Sequence, residues 1–386
     1  MKILFVSYYL PPLLYPQSIQ IGRFLYYLKQ FDDLEIVVVT ANEDSNIDKE
    51  LYPDIFDNLE VLKINNSFNM YINYIKNRFL PFIYQRPDTF TSWMDKVYRE
   101  ITKKYTDFDV ILTFSYPLST NLLGMKLKEF FNSKWIAHNS DPWADNPHLH
   151  IPNYLKNYHQ TLEKKVFQKA DKLLFTSFET SEFYKNKYPN IDIDFINHSF
   201  DKNLYPNTSK LKTQNSKVIF RYIGSFYGSR TPKPLFEALK LMKKSELEKF
   251  EIELIGGGKK AEFLLKEYNL LNVKVLDSVS YLKSLELMKS SDCLLVIDAP
   301  SDDISIFFPS KLADYIGSKT AIFGISPKGT TNRILKELDY PCFELDEIEN
   351  IKDGILNMLN FQNEIKNIEQ YDIEQNIKKL KGFICE

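Results

Sequence analysis

The chain has 386 residues, of which 44% are hydrophobic, 26% charged and 15% aromatic, enough apolar material for two packed domains and too much for a disordered chain. Lysine and arginine number 49 against 51 acids, a formal net charge of −2, which argues against a polyanion such as nucleic acid as a partner. The three cysteines, Cys293, Cys342 and Cys385, are odd in number and far apart, which fits reduced thiols and a cytoplasmic setting rather than a disulfide framework.

The first predicted element is a strand, Lys2 to Ser7, an apolar run without alternation of the kind covered on both faces in parallel sheets. The apolar start Met1 to Leu14 is broken by Pro11 and Pro12 and lacks a small-residue cleavage site, so it reads as part of the fold and not as a leader. A helix is expected over Ser18 to Phe31, with Ile21, Leu25 and Leu28 on one face, then a strand over Leu34 to Thr40. Further buried strands are expected at Asp109 to Phe114, Lys134 to Ala137 and Lys172 to Thr176, with helices between them. A polar stretch from Asp201 to Lys217 reads as a linker. Behind it a second series begins, with strands at Val218 to Ile223, Phe250 to Ile255, Val273 to Leu276, Cys293 to Ile297 and Ala321 to Phe323. The expected architecture is therefore α/β, two doubly wound domains with a cleft between the carboxyl ends of their strands. The boundaries read as 1–203 and 204–364, with a final helical segment, 365–386, packing back on the first domain. No run of about 18 apolar residues is present to span a membrane.

Glycine is scarce, 12 residues in all, so each is expected where backbone geometry demands it. Gly224 and Gly228 permit a tight loop after the strand ending at Ile223, and Thr231 with Pro232 reads as the N-cap and first position of the next helix. Arg230 precedes that helix N-terminus, where free N–H groups and the helix dipole already favour an anion; a diphosphate fits, and so does an ordinary strand-to-helix turn with a surface arginine. A second helix start, Phe307 to Tyr315, has Ser310 as expected N-cap, then Lys311, with Asp314 one turn on. A cation and a carboxylate so spaced can hold a phosphate and a ribose hydroxyl, or form a helical ion pair with each other. The run Gly256, Gly257, Gly258 after a buried strand suits close backbone approach to a ligand or a flexible connection.

In their joint order these motifs resemble glycosyltransferase family 4, retaining GT-B enzymes that use nucleotide-sugar donors. The matching pieces are the first strand with Tyr8 to Pro12, Asp107 to Ile111, Ser140 to Trp143, Ile223 to Ser225 with Arg230, Gly256 to Gly258, and Pro309 to Tyr315. The resemblance spans nearly the whole chain. It implies a nucleotide-sugar donor, UDP-linked by preference, with pyrophosphate contacts from Arg230, Lys311, Gly224 and Ser225 and a ribose contact from Asp314, and no metal or other cofactor. The acid triplets Asp107 to Asp109 and Asp192 to Asp194 match metal-dependent enzymes only as short strings. The chain also departs from the family pattern. Asp314 replaces a glutamate, Ile306 stands where a second glutamate is usual, so that the sugar contact is either missing or supplied from elsewhere, Asp302 and Asp303 being the candidates, and Ser225 replaces an arginine.

The family's paired glycines after the first strand are absent, so Tyr15, Gln17 and Arg23 are expected to meet the acceptor by side chain. Asp141, at a strand's carboxyl end, is expected to be catalytic together with Arg230 and Lys311, with His138 and Trp143 beside the acceptor; His138 also suits a hydrogen-bonded structural role. Residues 63–86 interleave Lys63, Lys76, Arg78 and Arg86 with aromatic rings, which suits an anionic membrane surface or a covered helical hairpin. The expected function is transfer of a sugar to a glycan or lipid-linked acceptor in cell-envelope polysaccharide assembly, in the cytoplasm or peripherally on the inner membrane face. The alternatives are a nucleotide-sugar epimerase of the same fold and a non-catalytic sugar-nucleotide-binding subunit.

Overall fold

The computed structural model describes residues 1–43, 47–66, 87–147, 151–207, 217–301, 304–364 and 367–386. The chain divides into two compact units, Met1–Asn197 with Asn376–Glu386, and His198–Gln375.

The first unit is a parallel sheet of seven strands in the order β3-β2-β1-β4-β5-β6-β7: β1 Lys2–Ser7, β2 Glu35–Ala41, β3 Glu60–Ile64, β4 Val110–Ser115, β5 Lys134–Asn139, β6 Lys172–Phe175 and β7 Ile193–Phe195. Helices α1 Pro16–Leu28, α2 Thr91–Lys104, α3 Ser119–Phe131, α4 Asn153–Phe167 and α5 Phe178–Lys187 connect them. The central strands are buried on both sides, as their unbroken apolar runs require. On one face Leu4, Val6, Ile111, Trp135 and Phe175 pack with Trp93, Val97, Leu123 and Phe167. Gly124 lets α3 lie against the Trp135 indole, because a Cβ there would stand 2.3 Å from its nitrogen. Helix α1 begins at Pro16, two residues before the expected start, since proline is tolerated in a first turn where its missing N–H is no loss. The strands β3 and β7 were not apparent from the sequence; β3 is a half-exposed edge with lysine in it, and β7 has three residues.

The second unit is a parallel sheet of six strands in the order β10-β9-β8-β11-β12-β13: β8 Val218–Ile223, β9 Phe250–Ile255, β10 Val273–Leu276, β11 Cys293–Ile297, β12 Ala321–Ile325 and β13 Cys342–Phe343. Its helices are α6 Lys233–Lys240, α7 Lys244–Leu247, α8 Gly258–Tyr268, α9 Tyr281–Ser290, α10 Ser310–Ser318, α11 Thr330–Glu337 and α12 Ile348–Met358. The last helix, α13 Ile373–Cys385, buries Ile377, Leu380 and Ile384. From Asn376 onward it belongs to the first unit, where Lys379 pairs with Asp194 at 3.0 Å and Lys381 with Asp33 at 2.7 Å.

Candidate functional site

In each sheet the strand order reverses direction once, between β1 and β4 and between β8 and β11, and the crevice at the carboxyl ends of such strands is where doubly wound sheets bind ligands. In the second unit that crevice is bounded by Gly224, directly after β8, and Asp298, directly after β11.

Gly224 has φ 138°, a backbone state that side chains rarely adopt, and its N–H is committed to the Ile255 carbonyl at 2.9 Å. Gly256, φ 75°, closes against it, since a Cβ there would lie 3.4 Å from the Gly224 oxygen. The loop then turns at Gly228, where the Arg230 N–H donates to the Tyr227 carbonyl at 3.2 Å. From α8, the Lys260 ammonium donates to the carbonyls of Gly228 at 3.0 Å and Arg230 at 2.6 Å, which fixes the backbone that carries Arg230. Helix α6 starts at Lys233 with Pro232 as its cap, so Thr231 is not the N-cap; its hydroxyl instead accepts from the Lys233 N–H at 3.3 Å.

Lys311 enters from the first turn of α10, which is held to the end of β8 by Tyr315, whose hydroxyl accepts the Ile223 N–H at 2.8 Å. Its ammonium stands 3.7 Å from the Tyr222 ring centroid, and Tyr222 in turn stacks on Phe226 at 4.3 Å and 8°. A Cβ on Gly224 would be 3.5 Å from that ammonium. Loss of surrounding water, reinforced by the neighbouring Arg230 guanidinium, pushes Lys311 well below the ordinary lysine range. Among the described residues no carboxylate lies within ion-pair distance of it. Arg230 reaches Asp298 at 3.3 Å, and its guanidinium lies 5.0 Å from the Tyr227 ring. Two cations thus share one carboxylate in this crevice.

The structure therefore brings Gly224, Arg230, Lys311 and Gly256 together, with Ser225 exposed on the rim and its carbonyl accepting the Tyr222 hydroxyl at 3.2 Å. Gly257 caps α8 and Gly258, φ 66°, opens it. Ser310 is the first helical residue and Pro309 the cap, which corrects the expected N-cap. Asp314 is corrected too. It is 5% exposed, and its carboxylate accepts from the Tyr281 hydroxyl at 2.9 Å between α10 and α9, so it neither pairs with Lys311 nor offers an open carboxylate to a ribose. Sequence reasoning missed Asp298, Lys260 and Tyr315. A signal for Asp298 was present: an acid directly after the apolar strand Cys293–Ile297. Asp302 and Asp303 lie outside the described residues.

In the first unit Tyr8 and Tyr9 follow β1 and Tyr116 follows β4. Tyr15 packs on Tyr9 at 4.8 Å, Tyr116 is exposed, and the Tyr8 hydroxyl is bonded by Glu43. Gln17 is half-buried, with its amide nitrogen enclosed and unpartnered. Asp141 is exposed beside Ser140, whose N–H and hydroxyl both meet the Ser115 carbonyl. Three expected acceptor residues are instead enclosed. Arg23 is fully buried in α1. His138, on the α1 face of β5, packs between Phe24 and Phe114 with neither ring nitrogen partnered, and burial pulls it down to about 4, which keeps it neutral. Trp143 is in the core, where its indole donates to His159 Nδ1 at 3.0 Å. The loop carrying it is held by the buried Glu163, which accepts from the Ala144 N–H and from Tyr184, Tyr188 and Lys187. Of the basic and aromatic stretch at 63–86, residues 67–86 lie outside the described residues. No helix among the described residues is long and apolar enough to cross a membrane.

No family model and no curated protein matches the chain. Solved structures do match over nearly its whole length. Sucrose-phosphate synthase from Thermosynechococcus elongatus superposes with a TM-score of 0.67 at 13% identity, covering 99% of this chain and 98% of that one. The HepE protein of Anabaena, in complex with UDP and glucose, gives 0.66 at 13% identity over 100% and 99%. The apo form of the lipopolysaccharide outer core galactosyltransferase WaaB gives 0.64 at 13% identity over 100% and 99%. A UDP-N-acetylglucosamine 2-epimerase follows at 0.58 and 12% identity over 100% and 98%. Likeness at this level of identity establishes the fold: two Rossmann-like α/β units of the kind found in GT-B glycosyltransferases.

Proposed function

We propose that this chain is a retaining glycosyltransferase that takes a nucleotide-sugar donor in its second unit and passes the sugar to a glycan or lipid-linked acceptor in cell-envelope polysaccharide assembly. The observation that carries this reading is the pair of cations, Arg230 and Lys311, set beside the φ-positive Gly224 at the switch point of the second sheet, with Lys311 lacking a carboxylate of its own among the described residues. Such a pair is built to meet a diphosphate. The WaaB and HepE structures support the choice of donor and setting, since one is a lipopolysaccharide galactosyltransferase and the other holds UDP and glucose.

On this reading the bond between the anomeric carbon and the diphosphate oxygen breaks while the acceptor hydroxyl attacks from the same face, and its proton leaves with the departing diphosphate. Arg230 and Lys311 stabilise the negative charge that grows on that leaving group, in a site where little water competes. The charge is met by side chains, so the reading expects activity in the presence of chelator. In the first unit Tyr15 and Gln17 are assigned to the acceptor, and Asp141 to the catalytic group with Arg230 and Lys311.

The test is a thermal-shift screen against UDP-, GDP- and ADP-sugars followed by transfer assays with the stabilising donor; a true donor at 100 times its dissociation constant raises stability by about 2.7 kcal/mol. Transfer with the donor's anomeric configuration kept supports the proposal. Isomerisation of the free donor without an acceptor would assign the chain to the epimerases, and binding without turnover on any acceptor would make it a binding subunit.

A further inference from the structure

We infer that Asp298 is a positioning residue for the donor diphosphate: it aims the Arg230 guanidinium into the crevice without neutralising it, and is itself held by Ser326 and Thr331. The inference rests on the nucleotide-sugar reading above.

Asp298 is 4% exposed, and a buried carboxylate is stable only when its oxygens are hydrogen-bonded. Its N–H is fixed to the Ile325 carbonyl at 2.9 Å. One carboxylate oxygen accepts from the Ser326 hydroxyl at 3.1 Å and the Thr331 hydroxyl at 2.6 Å, both neutral donors. That leaves the other oxygen for Arg230. The contact there is made by a single nitrogen at 3.3 Å, whereas a dedicated arginine–carboxylate pair is commonly bidentate at about 2.7–2.9 Å. A guanidinium carries five N–H donors, and the Arg230 Nε has no partner at all. Asp298 therefore directs the group while using little of its capacity.

The experiment is isothermal titration of the full chain with UDP, GDP and ADP and with the corresponding monophosphates, because a group that acts through Arg230 should alter the response to the second phosphate and not to the nucleoside. Asp298→Asn is expected to lower the preference for diphosphate over monophosphate by about ten-fold or more, while monophosphate affinity stays within about two-fold. Combining it with Arg230→Ala should cost no more than Arg230→Ala alone. Thr331→Val, which keeps the side-chain shape and removes one hydroxyl, should move the preference in the same direction by about three-fold and serves if the Asp298 variant does not fold. Unchanged preference in both variants, equal losses for mono- and diphosphate, or additive losses with Arg230→Ala overturn the inference. If Arg230→Ala abolishes the preference and Asp298→Asn keeps it, the nucleotide-sugar reading stands and only the positioning role falls. If the unaltered chain binds none of the diphosphates, both fall.

Discussion

At the switch point of the first sheet, β1 and β4 run out into Tyr8, Tyr9 and Tyr116; at that of the second, β8 and β11 run out into Gly224 and Asp298. The backbone topology of the two crevices is alike, each lying where the strand order reverses. Their chemistry differs because the residues directly after the strands differ. In the second unit a glycine with φ 138° turns the chain beside a lysine ammonium, and the fixed loop delivers an arginine. In the first unit the same positions are filled by rings that pack on one another, Tyr8 on Tyr9 at 4.9 Å and Tyr9 on Tyr15 at 4.8 Å. Topology provides the crevice, and the few residues beyond each strand set its chemistry: basic in the second unit, aromatic in the first.

The largest effect that would break this contrast is in the charged crevice. Arg230→Ala or Lys311→Ala should each reduce turnover by about ten-fold to a hundred-fold or more, as expected for loss of one charged hydrogen bond at 1.5 to 3 kcal/mol. Full turnover on the natural donor in either variant would remove the diphosphate assignment.

Next in size is an effect of pH on the aromatic unit. His138 is held near 4 in the folded chain against an ordinary value of about 6.5, so the unfolded chain binds more protons between those values, and stability falls as pH drops through that window. The full difference amounts to about 3 kcal/mol, reached below pH 4. The measurement is urea denaturation of the parent and of His138→Leu from pH 7 to pH 4. The variant should gain on the parent steadily as pH falls, and a constant difference would mean that the imidazole is not held neutral.

A smaller change tests whether Trp143 is packing or ligand surface. Trp143→Phe removes the indole bond to His159 and should cost about 1 to 3 kcal/mol in urea denaturation while leaving the acceptor KM unaltered. A raised acceptor KM at unchanged stability would return Trp143 to the binding surface. The smallest expected effect is that of Tyr15→Ala, which should raise the acceptor KM a few-fold through loss of ring contact worth about 1 kcal/mol, with the donor KM unmoved. A change in donor KM instead would mean that the two crevices do not divide the substrates as proposed.

The strands were legible wherever they are buried on both faces, because continuous apolar runs such as Ile3 to Val6 and Leu294 to Ile297 have no other stable home. Edge strands such as β3 and β13 escaped, since an exposed or two-residue strand leaves no periodic trace. In the site, glycine followed by a basic residue before a helix was enough to mark Gly224 and Arg230. The residues that hold them were not marked. Asp298 is distant from Arg230 by 68 positions and Lys260 by 30, and only packing brings them together. Polar residues at strand ends misled in the other direction. His138 and Trp143 have the chemistry of ligand contacts, yet one points onto α1 between two phenylalanines and the other into the core.

From sequence alone come two α/β units, the scarcity of glycine that singles out the loop after β8, and the two cations that give the second unit its character. These follow from local rules: periodicity selects strands and helices, and glycine is favoured at a φ such as the 138° of Gly224. The tertiary structure alone decided which of the polar groups face outward and which are used up inside. It enclosed Arg23, His138 and Asp314, left Lys311 without a carboxylate among the described residues, and placed Asp298 behind Arg230. The reason is that a side chain's orientation depends on which neighbours fill the space around it, and those neighbours come from parts of the chain that no local pattern connects.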